Sequence, residues 1–238
     1  MSRPLKIMST LAVEVALKRW LLPSWRAAGY EAEVQWNPTS VLKDRIRAGD
    51  RADVLVMIDN SMHELAREGV IIADSITPVA RAGLGIAVAA GAPRPDISTP
   101  EAFLHALIEA RSIVYSRTGA SGIYFAELIQ KLGIADRVNQ RALVVPSGFT
   151  AKHLLTGECD LAVQQISELM SVDGVEVVGP FPERYQMPTD FSVAIFADAE
   201  DRELAARFLK HLTSPQAAEA YDRGGLKSLL APNPRSPA

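Results

Sequence analysis

The amino-acid sequence predicts an α/β fold of two lobes, in which the chain leaves the first lobe, builds the second and returns. Three observations support this prediction. Apolar strand-like runs alternate with helical patterns along nearly all of the 238 residues. One run, DVLVMI at 53–58, is continuously apolar, as in strands buried on both faces of a parallel sheet. After the second series of elements come one more strand and two helices, which we expect to rejoin the first lobe.

The first series has the strand–helix rhythm of a doubly wound domain. Strands are predicted at 5–8, 32–36 and 53–58, and helices at 41–48 and 60–68. A further helix follows the first strand and is expected to end at Pro23. Its apolar face consists of Val13, Ala16, Leu17, Trp20 and Leu21.

The second series continues the alternation, with an irregular segment at 179–188. The strands are predicted at 85–90, 112–115, 142–145, 160–163, 175–178 and 191–196. The helices are predicted at 121–132, 150–156 and 201–212, with two more opened by Thr99-Pro100 and Ser214-Pro215.

The two lobes are predicted to comprise residues 1–82 with 187–238, and residues 83–186. The chain is expected to cross between them near 78–85 and 180–188, where helix signals are few and Pro or Gly is frequent. Two crossing strands of this kind form a hinge, and the cleft between the lobes is the expected binding site.

Composition excludes several classes of partner. The formal net charge is −3 and no basic cluster is present, so neither nucleic acid nor an anionic membrane surface is expected to bind. No apolar run reaches the length of a membrane span, and no membrane insertion is expected. The N-terminus lacks a signal-sequence pattern, which predicts a cytoplasmic protein, or a periplasmic one if Met1 is not the natural start. The single cysteine, Cys159, lies in an apolar stretch and is expected to be buried.

Hydroxyl, amide and glycine residues follow most of the predicted strands. Ligands of open α/β sheets lie beyond the carboxyl ends of the strands, where helix N-termini supply N–H donors for anions. The sequence therefore predicts a site for a small anion. The candidate ligand-binding residues are Ser9, Thr10, Asn37, Thr39, Ser40, Arg117, Thr118, Ser121, Gly122, Ser147, Gly148 and Gln164.

The stretch YSRTGASGIYF at 115–125 is the most specific of these turns. Its glycines allow close approach of the backbone, and Arg117 suits a carboxylate because a guanidinium can bind it through two hydrogen bonds. We expect an anion at the N-terminus of the helix that begins near Ser121. The alternative is that Ser121 only caps its helix and that water takes the other N–H groups.

Signatures of cofactor and metal chemistry are missing. The four histidines are scattered along helical patterns, and none has the spacing of a metal ligand set. Gly83 and Gly85 precede a strand rather than open a helix, so they form no dinucleotide fingerprint. The sequence therefore predicts neither a cofactor nor a metal, and it assigns no catalytic residue.

Four segments carry a family resemblance that spans essentially the whole chain. RADVLVMIDNSMHELAREGVI (51–71), ARAGLGIAVAAGAPRPDISTPEAF (80–103), GASGIYFAELIQKLGIAD (119–136) and LTSPQAAEAYDRGGL (212–226) resemble the solute-binding proteins of molybdate ABC transporters. The resemblance implies a two-lobed periplasmic-binding-protein (type 2) fold with a hinge of two crossing strands. It also implies that neutral N–H and O–H donors hold a tetrahedral oxyanion, with an ABC transporter permease as partner if the chain is exported.

Departures from that family at several positions weaken the case for molybdate. Ala12 stands where the family has its first serine, and Asn37, Pro38, Thr39 and Ser40 replace its second, GSSG-like element. The tyrosine expected after the late strand is read as Gln164. Aconitate isomerase is related to the same family, and a cleft with Arg117 near its floor would accept a small polycarboxylate.

Three functions are consistent with the sequence. The first is a non-catalytic binding module for a small oxyanion or carboxylate. The second is an isomerase of a small polycarboxylate, which needs an acid or base from among Tyr115, Glu14 and Asp59. The third is a ligand sensor, although no DNA-binding helix-turn-helix is recognisable. The binding module is the preferred interpretation.

Overall fold

The computed structural model describes residues 3–230, and these residues form two compact units. Among the described residues, unit 1 contains residues 3–82 and 189–230, and unit 2 is Gly83–Pro188.

The described chain contains strands, α-helices and a few tighter or wider turns. The strands are β1 (Leu5–Ser9), β2 (Ala32–Trp36), β3 (Val54–Ile58), β4 (Thr77–Ala82), β5 (Leu84–Ala89), β6 (Ile113–Ser116), β7 (Leu143–Val145), β8 (Leu161–Gln165), β9 (Val175–Pro180), β10 (Thr189–Ile195) and β11 (Lys227–Ser228). The helices are α1 (Glu14–Ala16), α2 (Leu22–Ala27), α3 (Thr39–Arg47), α4 (Asp59–Arg67), α5 (Pro100–Glu109), α6 (Ala120–Lys131), α7 (Ala135–Asn139), α8 (Lys152–Leu155), α9 (Ile166–Leu169), α10 (Arg202–Leu212) and α11 (Pro215–Arg223). None of these helices combines the length and the apolarity needed to cross a bilayer.

Unit 1 is built on a six-stranded sheet in the order β11-β4-β10-β3-β1-β2. β1 pairs in parallel with both β2 and β3, while β10 runs antiparallel to β3 and β4. The parallel strands end at Ser9, Trp36 and Ile58, and we call this side of the sheet the carboxyl edge of unit 1. Helices cover both faces, and the β3 side chains are apolar on each, as the DVLVMI run predicts.

The helical segment after β1 differs from its prediction. Its apolar residues Val13, Ala16, Leu17 and Leu21 are buried in the core, as expected. The helix does not stop at Pro23, however, but continues through it to Ala27. A wide π turn over Leu17–Leu21 runs directly into α2, and Pro23 is the second residue of α2.

Unit 2 is built on a five-stranded sheet in the order β7-β6-β8-β5-β9. β6 pairs in parallel with β7 and β8, and β5 is antiparallel to β8 and β9. The ends of β6, β7 and β8, at Ser116, Val145 and Gln165, define the carboxyl edge of unit 2. Phe103, Phe125 and Phe181 lie in the core on the α6 face, and Cys159 is buried on the other face, as predicted.

Most predicted elements are present with ends shifted by a residue or two, but β4 and several short elements were missed. β4 lies in a segment read as a crossing, because its sequence TPVARA contains a proline and an exposed arginine. Lys227–Ser228 is a two-residue edge strand, too short to give a pattern. The helices α7 and α9 and a 3₁₀ turn at Glu183–Tyr185 are similarly short.

Candidate functional site

The carboxyl edge of unit 1 gathers the polar residues predicted there. Ser9 is the last residue of β1 and is fully buried, and its hydroxyl donates to the Thr10 carbonyl at 3.2 Å. Thr10 is also buried, and its N–H donates to the Val56 carbonyl of β3 at 2.9 Å. The Asn37 N–H donates to the Ser9 carbonyl at 3.1 Å. These bonds fix the start of the turns after β1 and β2 on one side of the sheet.

Thr39 opens α3 at the same edge, and the exposed Ser40 follows it. The Thr39 Oγ1 atom is buried and has no hydrogen-bond partner within residues 3–230. No side chain caps the α3 N-terminus, because the N-cap position is occupied by Pro38. The edge thus offers a desolvated hydroxyl beside an uncapped helix start.

The turn after β6 opens the longest helix of unit 2. The backbone N–H groups of Arg117 and Thr118 donate to the carbonyls of Val145 and Pro146, and the Thr118 hydroxyl also donates to Pro146, at 2.7 Å. This turn is therefore tied to the end of β7. The exposed Arg117 guanidinium has no hydrogen-bond or ion-pair partner among the described residues.

Helix α6 begins one residue earlier than predicted, and Ser121 does not cap it. Gly119 occupies the N-cap position, which makes Ser121 the second residue of the helix, and no side chain accepts from its first turn. The Gly122 and Ile123 N–H groups bond back to Gly119, whereas those of Ala120 and Ser121 find no acceptor in the described chain. The first-turn donors that the sequence predicted are present.

Packing between α6 and β6 requires a glycine at position 122, which the sequence did not reveal. A Cβ atom built on Gly122 would lie 1.8 Å from the Ser116 carbonyl oxygen, far inside any real contact. Its hydrogen therefore packs α6 directly against the end of β6. The sequence interpretation that Gly122 lets a ligand approach is not needed to explain the residue, and a Gly122 variant would not report on binding alone.

Ser116, the last residue of β6, was not among the predicted site residues. It is only 2% exposed, and its Oγ atom has no hydrogen-bond partner within the described chain. This oxygen lies under the α6 turn, 2.5 Å from where a Gly119 Cβ would be and 2.7 Å from where a Gly122 Cβ would be. The two glycines thus leave room for a buried hydroxyl at the helix start.

Gln164 forms hydrogen bonds with the neighbouring loop after β7. Its Oε1 atom accepts from the Thr150 N–H at 2.8 Å and from the Thr150 hydroxyl at 2.9 Å, and its Nε2 donates to the Gly148 carbonyl at 2.9 Å. Ser147 is exposed beside Gly148, whose φ of +96° suits glycine. Gln164 therefore positions the predicted residues Ser147 and Gly148 through hydrogen bonds of its own.

The adjacent Gln165 and Ser167 were missed. Strand alternation turns the Gln165 side chain to the opposite face from Gln164, the face on which Val163 packs with α6. Gln165 is 5% exposed, and its amide has no hydrogen-bond partner in the described chain. Ser167 follows in α9, and its buried Oγ atom is likewise without a partner. A reading of side-chain alternation along 161–165 would have singled out Gln165.

Two patterns set the carboxyl edges apart from the rest of the described chain. Four buried side-chain polar atoms lack a hydrogen-bond partner, and three of them, on Thr39, Ser116 and Ser167, lie directly at or after strands ending at these edges. Among helices of nine or more residues, α3, α4 and α6 begin at the edges and have no side-chain cap. The others, α5, α10 and α11, are capped by Thr99, Asp201 and Ser214.

Such a pattern is costly in an isolated protein. A buried hydroxyl without a partner loses its hydrogen bonds to water, at about 1–3 kcal/mol. Uncapped helix starts lose about 1 kcal/mol each relative to a good cap. Both costs arise at the carboxyl edges, which is where an anionic ligand of an open α/β sheet would accept the missing hydrogen bonds.

The titratable candidates differ in their surroundings. The buried Glu14 is paired with Lys18 one helical turn later. The Tyr115 phenol donates to Asn139 at 2.8 Å, and burial raises the pKa of this phenol although the Arg117 charge opposes the rise. Asp59 opens α4 at the carboxyl edge of unit 1 and accepts a hydrogen bond from the hydroxyl of Ser192. No cluster of three or more His, Cys, Asp or Glu suited to a metal ion occurs within residues 3–230.

Two curated relatives align with this chain, one over most of its length and the other over less than half. An aconitate isomerase from Pseudomonas sp. is 30% identical over 212 residues, covering 87% of this chain and 80% of the relative. The molybdate-binding protein ModA of Escherichia coli K12 is 30% identical over 106 residues, 44% of this chain and 41% of that protein. The resemblance identified from the sequence is thereby confirmed.

Solved structures with the same fold are periplasmic binding proteins. The Azotobacter vinelandii periplasmic molybdate-binding protein superposes with a TM-score of 0.78 at 17% identity, covering 96% of this chain and all of the other. The sulfate-binding protein SubI of Mycobacterium tuberculosis gives a TM-score of 0.73 at 15% identity, covering 96% and 88%. The predicted α/β, type 2 periplasmic-binding-protein fold is confirmed.

A sequence model of one bacterial family matches most of the chain. It is described as "Bacterial extracellular solute-binding protein" and covers residues 24–227, which include α3, α4, α6 and every strand from β2 to β10. This chain therefore belongs to the bacterial extracellular solute-binding protein family.

Proposed function

We propose that this protein binds a small carboxylate anion through the polar groups at the carboxyl edges of its two units. The observation that carries the proposal is the concentration of unpartnered buried hydroxyls at these edges, on Thr39, Ser116 and Ser167. A ligand that accepts from them would remove a cost that the protein alone cannot avoid.

The groups proposed to hold the ligand come from both units. From unit 1 they are Ser9, Thr10, Asn37, Thr39 and Ser40. From unit 2 they are Arg117, Thr118, Ser121, Gly122 through its backbone, Ser147 and Gly148, with Ser116, Gln165 and Ser167 added by the structure. Gln164 holds the loop rather than the ligand, since its amide oxygen and one amide hydrogen are already used within the unit.

The start of α6 favours an anion. The Ala120 and Ser121 N–H groups point out of an uncapped twelve-residue helix, and the dipole of such a helix favours negative charge at this end. Arg117 adds a guanidinium without another partner two residues before the N-cap. A planar guanidinium matches a carboxylate through two parallel hydrogen bonds, which a tetrahedral oxyanion surrounded by neutral donors does not require.

The relatives agree with a carboxylate. The aconitate isomerase, named for a tricarboxylate, aligns with 87% of this chain, whereas ModA aligns with 44%. A small-molecule anion is thus the partner we propose. An ABC transporter permease would be a second partner for an exported form, as the family suggests.

Deleting an edge hydroxyl is expected to weaken binding without weakening the fold. Ser116→Ala and Thr39→Val each remove a buried hydroxyl that has no partner in the protein. We expect the free energy of unfolding without ligand to stay within about 0.5 kcal/mol of wild type or to rise. A lost hydrogen bond to a charged ligand costs about 1.5–3 kcal/mol, so the Kd should rise about ten- to a hundredfold. Titration calorimetry with propane-1,2,3-tricarboxylate and chemical denaturation measure the two quantities.

Thr213→Val provides the matched control for the hydroxyl deletions. The Thr213 hydroxyl donates to the Leu209 carbonyl at the end of α10, and its removal should leave the Kd unchanged. The proposal would be contradicted if both edge variants bound with wild-type affinity. It would also be contradicted if the wild-type protein gave no heat of binding with any anion tried.

Arg117→Ala is expected to separate carboxylates from tetrahedral oxyanions. The variant should lose about tenfold or more in affinity for propane-1,2,3-tricarboxylate, because a guanidinium–carboxylate hydrogen bond contributes about 1.5–3 kcal/mol. The affinity for molybdate or sulfate, if measurable, should change less. Arg137→Ala, in the helix α7 of the same unit, controls for the loss of one positive charge. An equal loss for both anion classes would refute the assignment of Arg117 to a carboxylate.

A second candidate function is the isomerisation of a small polycarboxylate at the same site. The aconitate isomerase relative favours it, because the alignment extends over most of both chains. Incubation of the protein with trans-aconitate, followed by proton NMR, separates the two functions. A binder returns the ligand unchanged, whereas an isomerase produces the cis isomer.

A further inference from the structure

One carboxyl group at the carboxyl edge of unit 1 is held by a buried hydroxyl on one side and faces a histidine on the other. Asp59 is the first residue of α4, directly after β3. Its Oδ1 atom accepts a hydrogen bond from the Ser192 hydroxyl. Its Oδ2 atom lies 3.5 Å from the Nε2 atom of His63, one helical turn later. The Asp59 side chain is 24% exposed and that of His63 is 57% exposed.

Ser192 is a polar residue in an apolar layer of unit 1. It is fully buried in β10, opposite Met57 of β3, on the sheet face that carries Ala194 and Phe196. The ladder between β10 and β4 is irregular between Phe191 and Ser192, and such irregularities redirect side chains. A hydroxyl in an apolar layer costs free energy unless it is hydrogen-bonded, and its partner here is Asp59. The Asp59 carboxylate is thus oriented from the inside of the sheet.

The other two titratable candidates are committed elsewhere. The Glu14 carboxylate is paired with Lys18, and the Tyr115 phenol donates a hydrogen bond to Asn139. Asp59 alone among the three combines a side chain oriented by a buried hydroxyl with a carboxylate that is not paired with a lysine, and its side chain is 24% exposed. It lies at the same edge as Thr10 and Thr39, because β1, β2 and β3 are parallel and end together.

We propose that Asp59 is the base that moves a proton on an unsaturated polycarboxylate, with Ser192 as its positioning residue. This inference rests on the proposed function. The Asp59 carboxylate takes a proton from a methylene carbon that lies between a carboxylate and a carbon–carbon double bond. The C–H electron pair spreads over the three-carbon allylic system, and Asp59 then returns a proton to its far end. The double bond moves by one position, no net proton is gained or lost, and no oxidant or reductant is needed.

His63 gives this proton a route to water. Its ring lies beside the second Asp59 oxygen and is more than half exposed. The proton held by Asp59 can therefore exchange with solvent before it is returned. In D₂O the polycarboxylate should accordingly take up deuterium at the carbon atoms between which the double bond moves.

The test compares turnover, exchange and binding in Asp59→Asn and wild type. The asparagine amide oxygen can still accept from Ser192, so the fold is preserved and the base is lost. With trans-aconitate in D₂O, proton NMR should show formation of the cis isomer and uptake of deuterium by wild type. Both rates should fall at least a hundredfold in Asp59→Asn, the scale of a lost general base. The Kd for propane-1,2,3-tricarboxylate, which has no double bond to move, should be unchanged or lower.

Further variants separate positioning from structure. Ser192→Ala should lower kcat about tenfold and leave KM and the Kd for the saturated analogue unchanged, since it frees the base without touching the ligand. Asp136→Asn removes an acid from the first turn of α7 in unit 2 and should behave as wild type. An Asp59→Asn protein with wild-type rates would overturn the proposal. So would a wild type that binds the saturated analogue but neither converts nor exchanges trans-aconitate. A wild type that binds neither compound would instead refute the proposed function.

Discussion

Gly122→Ala is expected to destabilise the protein by about 3–5 kcal/mol, although alanine is the better helix former. In an exposed helix interior the same change would add about 1 kcal/mol of stability. Here the new methyl group would lie 1.8 Å from the Ser116 carbonyl oxygen and 2.6 Å from its carbon, and both are backbone atoms at the end of a strand. Neither can rotate away, so α6 would have to move from the sheet and open the packing of Phe125 behind it.

Gly119→Ala is the matched control, because it places a methyl group in the same turn. That methyl would meet the Ser116 Oγ atom at 2.5 Å, which is a side-chain atom that can change rotamer. We expect a loss of about 1 kcal/mol or less in this control. Chemical denaturation of both variants checks the prediction. A Gly122→Ala protein as stable as wild type would mean that the contact between α6 and β6 is looser than its geometry indicates.

The same contact explains why part of the site was predictable from sequence and part was not. The turn between β6 and α6 is a local feature, and its glycines and hydroxyls are visible in the sequence. The strand that precedes it and the helix that follows it were therefore placed within one residue of their true ends. What each glycine contacts depends on how the helix lies on the sheet, which a local pattern cannot show.

The unpartnered hydroxyls were invisible for a related reason. Serine and threonine follow strands at many places in the sequence, and some of them find a partner, as Thr150 does with Gln164. Only the packed structure shows that Ser116 and Ser167 do not. Ser192 escaped notice because it stands inside a strand rather than after one, and its partner Asp59 is 133 positions away in sequence.

The fold was more accessible than the site because strands and helices reflect local periodicity. β4 is the informative exception. It lies between β11 and β10 in the unit 1 sheet, yet Pro78 and Arg81 give it the composition of a connecting segment. Arg81 forms a two-pronged ion pair with Asp190 on the neighbouring β10, 109 positions away in sequence. Tertiary pairing of this kind overrides local propensity.

The opposite edge of the unit 1 sheet is built differently, because three donors share one buried carboxylate there. Asp53 precedes β3 and is 1% exposed. It accepts from the Arg3 guanidinium at 2.6 Å, from the Lys6 N–H at 2.8 Å and from the Glu200 N–H at 3.1 Å. It thereby joins the start of β1, β3 and the segment that leads into α10. Burial alone would raise the pKa of this carboxyl, but the Arg3 and Lys6 hydrogen bonds outweigh it and hold the pKa below its usual range.

Asp53→Ala is therefore expected to lower the free energy of unfolding at pH 7 by about 3–4 kcal/mol, because it leaves several buried or half-buried donors without an acceptor. A carboxyl whose pKa is lower in the folded state stabilises the protein above its unfolded pKa of about 3.9, and this contribution is lost as the pH falls through the lower folded value. The difference between variant and wild type should thus shrink as the pH is lowered from 7 to 3. Urea denaturation across that range measures this difference.

Asp44→Ala serves as control, since its exposed pair with Arg47, at 3.8 Å, should contribute less than about 1 kcal/mol at any pH. A loss for Asp53→Ala that stays constant down to pH 3 would show that the side chain stabilises unit 1 by packing rather than by its charge.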